Sequence, residues 1–240
     1  MREYPWTSRQ QTWSHVVRYR LIVGRVGLSR AWLEGLSLPL NYLQRKGLSP
    51  ELEIGQNFLR HAESVTDLEH ADFPEWLLGA RSPDEFLDQF SKAARIQQGL
   101  VLDQILKKDS VALRELKAIS HREGARIGAS VQAASVRGAF LALNQNSFFA
   151  IRNGMVGVLP ERITDYQVSW MDLDCPHQDT LMEIGPVAAS LCDLFVEWRA
   201  GFCSALRPGS QGFRFTRLPQ EPVYGRCRYL LETEELRSPG

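Results

Sequence analysis

The feature that most constrains this chain is a change of texture near Asn144. Before it, the sequence carries apolar residues at helical spacing. After it, large and polar residues begin to alternate, as half-buried strands require. The expected fold class is α+β, with a helical N-terminal part and a small C-terminal antiparallel sheet packed against helices.

Within the helical part, Val16 to Leu43 mixes apolar and basic residues, with Gly24, Gly27 and Gly35 as interruptions and Pro39 as the stop. Ser49-Pro50-Glu51 has the form of a helix start. Ser82-Pro83-Asp84-Glu85 repeats it with Glu85 three residues after Ser82, as a capping box requires. Phe86, Leu87, Phe90, Ala93 and Ala94 then share one face. Ser110 to Leu143 is a long proline-free helical stretch, read as one or two helices. Gly124 and Gly128, with Ala125 and Ala129, give it a narrow side for close backbone packing, because glycine inside a helix costs about 1 kcal/mol and needs a reason.

Beyond Asn144, Asn153-Gly154 signals a turn and Tyr166 to Trp170 reads as a strand. A helix is expected after Pro176, continuing past Gly185-Pro186 through Val187 to Leu206 and closed by Pro208-Gly209. Phe213 and Phe215 begin a hairpin. Pro219 to Pro222 turns it, and Val223, Gly225, Cys227 and Tyr229 share one face of the return strand. The tail from Glu232 is expected to fray. No internal repeat is visible. The division expected is a helical extension over 1–100 and an α+β domain over 101–240.

At 240 residues and 44% hydrophobic content, the chain can bury a core without disulfide or metal staples. Its 28 basic and 28 acidic residues cancel, which argues against a nucleic-acid partner. No stretch approaches the roughly 20 apolar residues of a membrane span. The start, MREYPWTSRQQTW, has no apolar h-region, so a cytoplasmic location with reduced thiols is expected. Phosphate loops, dinucleotide fingerprints, nucleophile elbows and His-Glu-x-x-His are all missing. No cofactor is expected. A small-molecule substrate is the expected partner, with a homodimer as the other.

The four cysteines, Cys175, Cys192, Cys203 and Cys227, fall within the last 66 residues. Cys175-Pro176-His177 stands where a strand gives way to a helix. A thiol there meets the positive end of the helix dipole, which favours the nucleophilic thiolate, and His177 offers a proton acceptor. The alternative for Cys175 is a small buried hydrophobe. Cys192, among Ala188, Leu191 and Phe195, and Cys227, on the apolar face of its strand, have packing as their first reading, and Cys203 likewise. Intervals of 17, 11 and 24 residues match no compact zinc signature, so no metal is expected, although a site assembled from Cys175, His177 and Cys227 is the spatial alternative. Asp193 lies one helical turn before Glu197. His121 and Glu123 precede the glycine-spaced segment and are candidates to line a cleft. His61 and His70 read as surface residues, and His15 as part of an aromatic, basic segment.

The order Cys175-Pro176, Gly185, Leu191-Cys192-Asp193, Leu206-x-Pro208, Phe213-x-Phe215-Thr216 and Gly225-x-Cys227-x-Tyr229 resembles the L-2-amino-thiazoline-4-carboxylic acid hydrolase family, similar in turn to vinyl-reductase-type ligand-binding domains. These motifs cover about a quarter of the chain. The resemblance implies an α+β domain and ring-opening hydrolysis at a C=N carbon. Cys175 and His177 would then be catalytic. Asp193, Glu123, His121, Trp198, Cys192 and Cys227 would form the substrate-binding set, with Asp193 holding an ammonium or amidinium group. The family commonly carries a second acid soon after the Cys-Asp pair, where this chain has Leu194-Phe195, and that points to a larger, more apolar substrate of specialised metabolism. The alternatives are a ligand-sensing module and a non-catalytic partner subunit.

Overall fold

A computed structural model of the chain describes residues 8–38, 83–146, 151–152, 155–156, 158–172, 187–206, 212–219 and 227–233. Helix α1 runs over Ser8–Gly35, α2 over Pro83–Lys108, α3 over Leu113–Gly128, α4 over Val136–Asn146 and α5 over Val187–Ala205. A 3-10 turn at Ser110–Ala112 joins α2 to α3, capped by the Asp109 carboxylate, which accepts from the Val111 N–H at 2.9 Å. Strands β1 (Ile151–Arg152) and β2 (Met155–Val156) make a short antiparallel pair. Strands β3 (Val158–Ile163), β4 (Gln167–Asp172), β5 (Phe213–Arg217) and β6 (Arg228–Thr233) form an antiparallel sheet in the order β3-β4-β6-β5. The fold class is α+β.

Helix α1 runs unbroken through Gly24 and Gly27, contrary to the expected interruptions. The roughly 1 kcal/mol that each glycine costs is offset by burial along the helix. Tyr19, Ile22, Val23 and Val26 pack with Leu87, Phe90 and Ala94 of α2. Further on, Leu28, Trp32 and Leu33 join the core beneath the sheet. The Trp32 indole donates to the buried Ser120 hydroxyl of α3 at 2.9 Å, which satisfies both groups away from water. Near its start, the half-buried His15 approaches Asp84 at 3.2 Å, and the buried Arg18 pairs with Asp84 and Asp88.

The face expected on α2 is the buried one: Leu87, Phe90, Ala93 and Ala94 are buried, with Phe86 packed beside them. The stretch after Ser110 divides into α3 and α4. Helices α3 and α5 cross at unusually short range, and glycine makes that approach available. A methyl on Gly124 would stand 2.0 Å from the Trp198 carbonyl oxygen, and one on Gly201 the same distance from that of His121.

Register fixes the sheet's inner face. Trp170 is opposite Tyr229, Val168 opposite Leu231, and Phe215 opposite Leu231 from the other side. Their side chains meet the core with α4 and α5; Phe140 of α4 meets Trp170 edge-on at 4.9 Å. Side chains of this size each contribute about 1.5–3 kcal/mol by burial. Strand β6 continues through Glu232 and Thr233, where fraying was expected, because both pair with neighbours: Glu232 with Gln167 and Arg214, Thr233 with Phe213. Strand β3 was not expected. Nearly all of it is exposed and it contains Pro160 beside a register shift, so it lacks the alternation of a half-buried strand; an edge position tolerates both features.

Candidate functional site

The inner face of the sheet is apolar along most of its length and polar at one end. On β4 the inward phase runs Val168, Trp170, Asp172, so the strand finishes with a carboxylate turned toward the helices. Across from it, the Asp172 N–H donates to the Cys227 carbonyl at 2.9 Å, which places Cys227 just ahead of β6 on the same face. Arg217, the last residue of β5, is opposite Tyr229.

Helix α5 closes this end from above. Arg199 is 3% exposed, and its two terminal nitrogens donate to Asp172 Oδ2 at 3.3 Å each. Its guanidinium also lies 4.6 Å from the centre of the Tyr229 ring. Burial works against its charge, but Asp172 and Tyr229 outweigh that effect and hold its proton more tightly than usual. The second oxygen of Asp172, Oδ1, is buried with no hydrogen-bond partner among the described residues. Leaving such a group unsatisfied costs about 1–3 kcal/mol, more for a charged one, and in a native protein asks for an explanation.

The polar groups connect onward. The Tyr229 phenol and the Cys227 thiol lie close enough to influence one another. Arg217 approaches the same sulfur at 3.8 Å and Asp193 Oδ1 at 3.6 Å, and Lys117 of α3 reaches Asp193 Oδ2 at 3.0 Å. Asp193 and Cys227, separated by 34 positions in the sequence, therefore share one cation. Cys192, half-buried, is the residue before Asp193 on α5, and Cys203 is buried deeper along the same helix.

Other expected site residues stand elsewhere. Trp198 is fully buried and stacks on Phe202 with ring centres 5.4 Å apart. The backbone of His121 meets Gly201, and Glu123 pairs with Arg126 along α3 at 3.1 Å. Cys175, His177, His61 and His70 lie outside the described residues, as do Ser49-Pro50-Glu51, Asn153-Gly154 and the turn at 220–222.

Asp172, Arg199, Arg217 and Lys117 were not singled out from the sequence. Two signals were available. Asp172 sits on the inward phase of its strand, and Arg199 falls between Phe195 and Phe202 on the apolar stripe of α5. A charge on a core phase needs a partner.

Burial pushes the Tyr229 phenol well above its ordinary range; Arg199 opposes the rise, and Asp172 and Cys227 add to it. Burial raises the Cys203 thiol in the same way, against the pull of Arg199. Below about pH 8.5 both states keep these protons. Above that, the unfolded chain releases the thiol proton, and from about pH 10 the phenol proton, while the folded chain retains them. Stability is thus full at neutral pH and falls with rising pH. Urea midpoints measured from pH 8 to 11 are expected to drop, with Cys203→Ala and Tyr229→Phe each flattening its own part of the slope.

Among the described residues, no helix is long and apolar enough to cross a membrane, and no three His, Cys, Asp or Glu side chains gather as a metal site. No family model, curated protein or solved structure matches the chain.

Proposed function

We propose that the chain is a hydrolase of small heterocyclic or amide-type molecules, opening a ring at a C=N carbon, with its site at the polar end of the sheet. The observation that carries this reading is the convergence of Asp172, Arg199, Tyr229, Cys227, Arg217 and Asp193 where β4 ends. Cys175 follows Asp172 by three positions, and three residues of chain span at most about 11 Å. A nucleophile at Cys175 is therefore within reach of the cluster. The resemblance of the Cys175–Tyr229 motifs to thiazoline hydrolases supports the same chemistry.

In this reaction the Cys175 thiolate attacks the C=N carbon and forms a C–S bond, and the ring bond to the heteroatom breaks. His177 takes the thiol proton and returns it to the departing heteroatom. Water then adds to the same carbon and expels the Cys175 sulfur, which restores the enzyme and leaves the ring-opened product. Arg217 and Tyr229 fix the wall that faces the substrate.

Turnover of 2-aminothiazolines with apolar substituents tests the proposal. Cys175→Ala is expected to lose at least about 10³-fold in kcat/KM, with its unfolding curve unchanged. Full activity in that variant would exclude the covalent mechanism. Binding of the same compounds without turnover would favour the ligand-sensing module instead.

A further inference from the structure

The cluster contains two carboxylates, and they differ in what they already hold. Asp193 is 42% exposed at its side chain and has a cation on each oxygen, Lys117 on one and Arg217 on the other. Asp172 is 9% exposed, gives both its contacts to Arg199 through Oδ2 alone, and keeps Oδ1 buried and, among the described residues, unpartnered. The family resemblance implied Asp193 as the group that holds a substrate nitrogen, and both of its oxygens already face cations.

We propose that Asp172 Oδ1 accepts a hydrogen bond from a planar N–H group of the ligand, of the kind an amidine or cyclic amide presents, and so selects that ligand class. A carboxylate oxygen can only accept, so its complement is a donor. Arg199 occupies one oxygen and the neighbouring ring face of Tyr229, which leaves the other oxygen for a second planar donor. In an amidine or amide the N–H is borne by the nitrogen attached to the electrophilic carbon. A contact at Oδ1 therefore holds that carbon beside the end of β4, the strand that leads toward Cys175. The inference rests on the small-molecule reading above and names the group that chooses the ligand.

Three matched rings test it by binding alone: 2-amino-2-thiazoline, the uncharged N–H donor thiazolidin-2-one, and 2-methyl-2-thiazoline, which has no N–H. The first two are expected to bind the unsubstituted protein about 10- to 100-fold more tightly than the third, the range of one hydrogen bond to a charged group. Asp172→Asn puts an amide NH₂ where the acceptor stood and abolishes the difference, whereas Asp193→Asn keeps it. Because Asp172→Asn also weakens a buried pair, the side-chain carboxyl carbon resonance of Asp172 in the unsubstituted protein gives a second reading. It should shift with the two N–H rings and stay in place with the methyl ring. Discrimination that survives Asp172→Asn, discrimination lost in Asp193→Asn, equal binding of all three rings, or no binding at all would each overturn the proposal. Cys175→Ala is expected to discriminate as the unsubstituted protein does, so failure of the covalent mechanism and failure of this inference give different results.

Discussion

Gly124→Ala is expected to destabilise the protein by about 3 kcal/mol or more, at the upper end of the usual cost of overpacking a core. The added methyl would meet the Trp198 carbonyl oxygen at 2.0 Å and the Phe202 nitrogen at 2.9 Å. Both are backbone atoms of a neighbouring helix, so no rotamer change relieves the contact and α3 and α5 must separate. A methyl on Gly128 or Gly201 would meet the opposite backbone in the same way, at 2.2 Å and 2.0 Å. Gly138→Ala is the matched control. Its nearest neighbour would be the Ser135 hydroxyl at 3.4 Å, an ordinary contact. Helix propensity then favours alanine by about 0.5–1 kcal/mol. Urea midpoints should move in opposite directions for the two variants. The crossing also holds the candidate site together, because α5 carries Asp193 and Arg199 over the end of the sheet, and any displacement opens that cluster.

Arg199→Met should cost about 3–5 kcal/mol, since it leaves the Asp172 carboxylate buried without its cation. The further change Asp172→Leu should restore most of that loss, because well-packed apolar residues replace a buried ion pair at little or no cost. Urea unfolding of the two variants checks both steps. The double variant is expected to be folded and to bind N–H-bearing rings no more tightly than the methyl ring. Recovery of stability without recovery of binding would mean that Asp172 and Arg199 serve the site rather than the fold. A double variant as unstable as the single one would make the pair a structural device.

The sequence made the helices and the sheet's inner face legible for different reasons. The spacing of Leu87, Phe90 and Ala94 predicted the buried face of α2, and Phe213, Phe215 and Tyr229 marked inward positions of the sheet by alternation alone. Gly124 and Gly128 signalled close packing because glycine is costly in a helix, but the partner backbone belongs to a segment more than 70 residues away. Strand β3 escaped because its exposed faces leave no hydrophobic period. The candidate site was legible only in part. Asp193 and Cys227 stood out by residue type, whereas the Asp172–Arg199 pair joins positions 27 apart through a helix–sheet contact that local patterning does not encode. Trp198 shows the converse. It stood in the expected substrate-binding set, and burial against Phe202 gives it the surroundings of a core residue.

The central claim is that one reactive thiol serves the polar end of the sheet, and site-resolved alkylation of the four cysteines across pH tests it most directly. With a small maleimide and peptide mapping, Cys175 is expected to react fastest at pH 6–7, its rate profile displaced below the ordinary thiol range near 8.5. Saturating 2-amino-2-thiazoline should slow Cys175 and leave Cys192 unaffected, and Cys203, buried in the core, should react only on unfolding. An ordinary thiol profile at Cys175, with no protection by the ring, would contradict the account.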